Sequence, residues 1–171
     1  MTPSLDLTTI TELPTTTRIS LRTADPAAVG ATLGIELPVM VGVREATGAR
    51  TVLCLGPDEW LLQAPEPDGA MLAALLADLA ARTPLSAVEI SDREVTLALA
   101  GPGVLDLLAT GCPRDLARMP IGSGARTMFD TAQVVLTRKG ANRFHLTVWR
   151  SFASHIRVLF DIAARELAVG L

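Results

Sequence analysis

A chain of 171 residues, 49% apolar and 19% charged, has ample material for a buried core and is no disordered segment. Its net charge of −3, with both signs interspersed, argues against nucleic acid as the main partner, because phosphate binding needs a concentrated basic face. Apolar runs such as Ala70 to Leu76 stop well short of the roughly 20 residues that a membrane span requires.

The first cation is Arg18 and no apolar leader follows the start, so the cytoplasm is the expected compartment. Residues 1–17 are rich in threonine and weakly periodic, an arm either solvated or ordered on a partner subunit. Arg18 to Arg22 alternates as a strand does, with Ile19 and Leu21 on one face. Asp25-Pro26 is a strong helix start: a carboxylate at the N-cap, then a proline where no amide donor is needed. Val29 and Leu33 point inward from that helix and Gly34 closes it. Glu36 to Arg50 is a connector, with room for a short strand at Val39 to Val43.

A hairpin follows, Thr51 to Leu55 and Glu59 to Ala64 about Gly56-Pro57-Asp58. Asp68 is placed to cap a helix over Gly69 to Arg82, with Met71, Leu72, Leu75, Leu76 and Leu79 as its core stripe. Ala87 to Ser91 and Glu94 to Ala100 are strands separated by Asp92-Arg93. Gly101-Pro102 opens a helix carrying Val104, Leu105, Leu107 and Leu108, which stops at Gly111-Cys112-Pro113. Arg126 to Asp130, Ala132 to Arg138 and Arg143 to Trp149 are strands. Ser151 is placed to cap a last helix, with Phe152, Ile156, Leu159, Ala163 and Leu167 at helical spacing.

The two halves repeat one plan. Arg18 to Gly34 aligns without a gap on Val95 to Gly111, 77 residues on, so that Gly34 falls on Gly111 as a second helix stop. Leu55 to Gln63 (LGPDEWLLQ) aligns on Lys139 to Thr147 (KGANRFHLT), 84 residues on, with Trp60 on Phe144. The difference of seven is an insertion in the second connector. The expected fold class is α+β: duplicated βαββα units with a mostly antiparallel sheet, in one domain over 18–171 whose pseudo-repeats span about 18–91 and 92–171.

Chemistry is hard to find in this pattern. His145 and His155 have no short-spaced acidic or thiol neighbours, and Cys54 and Cys112 are isolated, which argues against a metal site or a disulfide framework. No GxSxG is present, and Gly101-Pro102-Gly103 and Gly122-Ser123-Gly124 lack phosphate-cradle spacing. Asp92, Asp106, Asp115 and Asp130 are either amine-binding carboxylates or, as is commoner, caps and turn residues. No catalytic, cofactor-binding or metal-binding residue is assigned. Trp60 and Phe152 have core periodicity. Trp149, Arg150 and Phe152, at a strand–helix junction, form the candidate interface.

The segment around Asp92-Arg93, the run GPGVLDLLATGCPRDL, Arg126-Thr127, Arg150-Ser151-Phe152-Ala153 and LGPDEWLL at Leu55 to Leu62 together resemble the gamma subunit of heterotetrameric sarcosine oxidase. The resemblance spans about Leu13 to Leu167. It implies a fold like the folate-binding domains of the glycine-cleavage T-protein, an aminomethyltransferase. It also implies a role in oxidative demethylation of sarcosine to glycine and hydrogen peroxide, with the one-carbon unit passed to tetrahydrofolate or released as formaldehyde. FAD, FMN and NAD are then expected on the alpha and beta subunits and zinc on delta, with none on this chain, which would contact alpha chiefly. N-methylglutamate dehydrogenases have a similar gamma chain. The alternative expectation is a free-standing folate or one-carbon binding protein on the same fold.

Overall fold

Asp25-Pro26 does what its chemistry predicts. In the computed structural model, which describes residues 8–169, the Asp25 carboxylate accepts the Ala28 N–H at 3.0 Å, and Gly34 ends the helix in the left-handed region at φ 66°. In chain order the elements are β1 (Thr9–Glu12), β2 (Thr17–Thr23), α1 (Pro26–Leu33), β3 (Arg44–Thr47), β4 (Arg50–Gly56), β5 (Glu59–Ala64) and α2 (Gly69–Ala80). There follow β6 (Leu85–Glu89), β7 (Glu94–Ala100), α3 (Val104–Ala109), β8 (Gly124–Phe129), β9 (Ala132–Gly140), β10 (Arg143–Trp149) and α4 (Arg150–Ala168).

These elements form two compact units, each with its own apolar core. The N-terminal unit, Thr15–Asp92, holds a sheet in the order β3-β4-β5-β2-β6. The C-terminal unit takes the chain from Arg93 onward together with the segment before Thr15, and its sheet runs β1-β7-β10-β9-β8. Every neighbouring strand pair is antiparallel, as the α+β expectation requires. The threonine-rich arm therefore holds a strand: Ile10 lies opposite Leu99 and Glu12 opposite Leu97 on β7. Positions 1–7 of that arm lie outside the described residues.

Each unit lays its helices on one face of its sheet. In the N-terminal unit Ile19, Leu21, Trp60 and Leu62 meet Val29, Leu33, Leu72 and Leu76, all at or near complete burial. Full burial of such side chains contributes about 1.5–3 kcal/mol each. The Trp60 indole N–H is satisfied by the Pro38 carbonyl at 2.7 Å. Met71 and Leu75, expected in the core stripe of α2, are exposed, because Leu72, Leu76 and Leu79 alone face the sheet. Asp68 makes no cap for α2; its carboxylate pairs with Arg50 at 2.8 Å instead. The short strand expected at Val39 to Val43 forms just after it instead, over Arg44–Thr47, as β3. The chain turns there, Val43 N–H donating to the Met40 carbonyl, and leaves Val39, Met40 and Val41 exposed.

The strand register also corrects the repeat. Leu21 lies opposite Trp60, and Leu99 opposite Phe144. Trp60 and Phe144 are 84 apart, as expected, but Leu21 and Leu99 are 78 apart, not 77. Because side chains alternate with period two, an ungapped alignment at 77 puts the buried face of β2 on the outward face of β7. The equivalence at 78 continues through the helices, matching buried Val29 and Gly30 with Leu107 and Leu108. Of the six inserted residues, two fall between α3 and β8 and four lengthen the β8–β9 hairpin, since Glu45 and Ala125 are 80 apart.

Gly111 is consequently not the partner of Gly34. Its backbone stays out of the left-handed region, and a Cβ there would lie 3.0 Å from the Phe129 ring, so a close approach demands the glycine. Gly111→Ala should therefore destabilise by about 1–3 kcal/mol through overpacking, and Phe129→Leu should recover part of that loss. Gly34→Ala, which fails by backbone strain, should combine additively with Phe129→Leu. Urea midpoints of the single and double variants measure both couplings.

Candidate interaction surface

β10 runs straight into α4, so the N-cap position falls on Trp149, with φ −59° and ψ 136°, and not on Ser151, which lies inside the helix. Trp149 has no side-chain acceptor, and no side-chain cap is made. The abrupt junction projects Trp149, Arg150 and Phe152 together at the start of α4, all exposed. The two rings lie 6.3 Å apart between centroids, tilted by 46°. Trp60 is in the core as expected. Phe152 is not: it keeps 38% of its surface, because α4 buries the line through Ile156, Phe160 and Ala163 and leaves Phe152 on its shoulder.

Arg93 joins this surface from far away in sequence. Trp149 lies opposite Glu94 across β10 and β7, which carries the Arg93 guanidinium to 5.2 Å from the Trp149 ring centroid. An exposed contact of this kind is worth about 0.5–1 kcal/mol. Arg93 also approaches the Glu94 carboxylate at 3.9 Å. Asp92-Arg93 was legible as a break between strands, but only the register of β7 on β10 reveals that its arginine faces Trp149.

The remaining candidates serve local structure. Cys54 is buried and donates to the Gly56 carbonyl at 3.2 Å, and burial pushes its thiol pKa up, away from reactivity. Cys112 is buried, its sulfur 4.0 Å from the Thr127 hydroxyl. Asp115 accepts the Arg118 N–H at 3.2 Å and fixes a turn; Asp106 lies in the first turn of α3 and Asp92 in a short turn ahead of β7. Asp130 meets the His155 ring at 3.2 Å. His145 is partly buried on β10. Among the described residues, no group of three His, Cys, Asp or Glu side chains could hold a metal ion, and no helix is long and apolar enough to cross a membrane.

Residues 21–166 match the sarcosine oxidase gamma subunit family. The chain belongs to that family. It is 31% identical to the sarcosine oxidase gamma subunit of Corynebacterium sp. strain U-96, over 94% of this chain and 83% of that relative. Its fold superimposes with a TM-score of 0.83 on a chain of the heterotetrameric sarcosine oxidase of Corynebacterium sp. U-96 in complex with pyrrole 2-carboxylate, at 31% identity over 94% of this chain and 85% of the other. The glycine cleavage system aminomethyltransferase T of Bartonella henselae shares the fold, with a TM-score of 0.63 at 16% identity, over 93% of this chain and 49% of that one. Membership of the gamma subunit family and the likeness to aminomethyltransferase T agree with the duplicated α+β architecture read from the repeat.

In this gamma-type chain the Asp130–His155 pair has a calculable pH signature. The Thr131 backbone N–H, followed by side-chain hydrogen bonds from His155 and Thr131, holds the Asp130 carboxyl below its ordinary value. A carboxylate of depressed pKa stabilises the fold above its unfolded value, about 3.9, and that contribution is lost as pH falls through the lower folded value. The urea midpoint of wild type should thus exceed that of Asp130→Asn at pH 6, with the gap narrowing as pH falls below the unfolded value. A constant gap would show that these bonds do not tune stability.

Proposed function

We propose that this chain is the non-catalytic gamma subunit of a heterotetrameric sarcosine-oxidising complex, acting in its assembly and stability. In this reading the complex demethylates sarcosine oxidatively to glycine with formation of hydrogen peroxide, and the one-carbon unit goes to tetrahydrofolate or leaves as formaldehyde. FAD, FMN and NAD belong to the alpha and beta subunits and zinc to delta. The alpha subunit is the main contact of this chain. Membership of the family supports the gamma-subunit part of this reading.

The observation that carries the assembly role comes from the sister unit. α2 and α4 bury equivalent residues at a spacing of 84, Leu72 with Ile156 and Leu76 with Phe160. On that correspondence Trp149, Arg150 and Phe152 stand where the N-terminal unit has Pro65, Glu66 and Asp68. The fold therefore forms at this junction without aromatic side chains. The C-terminal unit holds two exposed rings there that its sister does without, the composition typical of interface anchors.

The likeness to aminomethyltransferase T favours one other reading, a free-standing folate or one-carbon binding protein. Tetrahydrofolate titrated into the isolated chain separates the two: tight stoichiometric binding supports the free-standing protein. For the assembly reading, the chain co-expressed with its flavin-bearing partners should co-elute with them. Trp149→Ser combined with Phe152→Ser should weaken that association by about tenfold or more, the scale of an interface anchor, and leave the thermal midpoint of the isolated chain nearly unchanged. A wild-type chain that elutes alone from its native host refutes the assembly role.

A further inference from the structure

The two units also differ where the second helix meets the edge strand. Ala87 lies opposite Leu21 and Ile10 opposite Leu99, so Glu89 on β6 and Glu12 on β1 occupy equivalent places. Residues directly opposite in an antiparallel pair share a face. Glu89 is opposite the core residue Ile19, and Glu12 opposite the core residue Leu97, so both carboxylates lie on the helix side of their sheets. In the C-terminal unit Arg157 crosses from α4 and pairs with Glu12. Its equivalent on α2, at the same spacing of 84, is Ala73.

Where the arginine is missing there is a cavity. It has a volume of about 360 Å³ and is lined by Ala73, Leu76, Ala77, Ala80, Ala87 and Glu89, among others. The Glu89 Oε1 accepts the Ser91 hydroxyl at 2.9 Å, which orients the carboxylate at the rim. The lining is thus an apolar wall of small side chains with one oriented negative charge. That is the complement of a long aliphatic stem ending in a cation.

We propose that this cavity receives an arginine side chain from another subunit of the complex, its guanidinium on Glu89 and its stem against Ala73, Leu76 and Ala77. The Arg157–Glu12 pair is the template within the same chain: one helix–strand edge carries its arginine in cis, and the other takes it in trans. Guanidinium suits the site better than ammonium, because its planar fork matches a carboxylate in two parallel hydrogen bonds while its stem stays on apolar surface. The inference rests on the assembly reading for the existence of a partner, but it concerns the opposite unit from the aromatic surface.

Two variants of the full chain, co-expressed with the partner subunits, test it. Ala73→Arg supplies the guanidinium in cis and occludes the cavity. Glu89→Gln removes the charge but keeps the shape and the Ser91 contact. Both should weaken co-elution by about tenfold, the scale of a charge-assisted pair lost at an interface. Ala73→Arg should at the same time leave the thermal midpoint of the isolated chain unchanged or raised, as an added Arg–Glu bridge predicts. Wild-type assembly by Glu89→Gln overturns the inference, whatever the folding of Ala73→Arg. So does a loss of self-association alone, which would make a second copy the occupant. Failure of the wild-type chain to associate overturns the assembly reading itself, and so differs from failure of these variants alone.

Discussion

Leu21 opposite Trp60, and Leu99 opposite Phe144, decide on which side each sheet meets its helices. All four side chains are essentially without solvent contact, and the helices lie where these residues point. A strand has only two faces, so moving either partner by one position would carry a whole row of apolar groups into water. The central strand pair is therefore the constraint, and the helices follow it. Phe129 and Phe160, with ring centroids 4.7 Å apart, and the close approach of Phe129 to Gly111 extend the same core in the C-terminal unit.

The extra residues of the C-terminal unit need their own anchor. Residues 110–123 form no helix or strand, and their carbonyls are not paired by regular structure. Arg138 on β9 answers this with one guanidinium: Nη1 donates to the carbonyls of Leu116, Ala117 and Met119, and Nη2 to that of Ala141. Its planar head also lies 5.5 Å from the Phe144 ring centroid, which ties the loop to the residue that defines the core face. The longer connector is thus held by charge-assisted bonds to its backbone together with Cys112, Leu116 and Met119, which bury in the core of the unit.

The architecture was largely legible in the sequence because it rests on local signals. Asp25-Pro26, the Gly56-Pro57-Asp58 turn and the alternation around Trp60 act within a few residues, and each placed its element. What escaped depends on pairing between distant segments. Thr9–Glu12 is too short and too polar to announce a strand, and it becomes one because β7 offers an open edge about ninety positions away, where the Thr9 hydroxyl reaches the Ala100 carbonyl (residue separation 91). The one-residue error in the repeat arose from matching Gly34 with Gly111, two glycines present for different reasons. At the candidate surface, Trp149, Arg150 and Phe152 were legible as aromatics flanking an arginine. Arg93 was not, since its place beside Trp149 follows from strand register. Phe152 was misplaced because helical spacing alone does not distinguish the centre of a buried face from its shoulder.

An internal duplication gives each unit a control that a single domain lacks. Features shared by both units belong to the fold: the core pair, the helix-facing carboxylates Glu12 and Glu89, the buried line along the second helix. Features carried by one unit must be explained otherwise. At the junction before α2, Asp68 is satisfied inside its own unit by Arg50, and no aromatic ring stands at the positions equivalent to Trp149 and Phe152. At the same junction in the C-terminal unit, Trp149 stays 41% exposed although a guanidinium already stacks on it. Leaving that much of a ring in water forgoes a substantial part of its burial free energy, offset only in part by the contacts with Arg93 and Phe152. The divergence is reciprocal, since the N-terminal unit leaves a cavity where its sister places Arg157. Each copy has therefore kept the fold and given up a different piece of its own closure, and on the assembly proposal those two departures are where a duplicated domain gains surfaces for contact without changing its core.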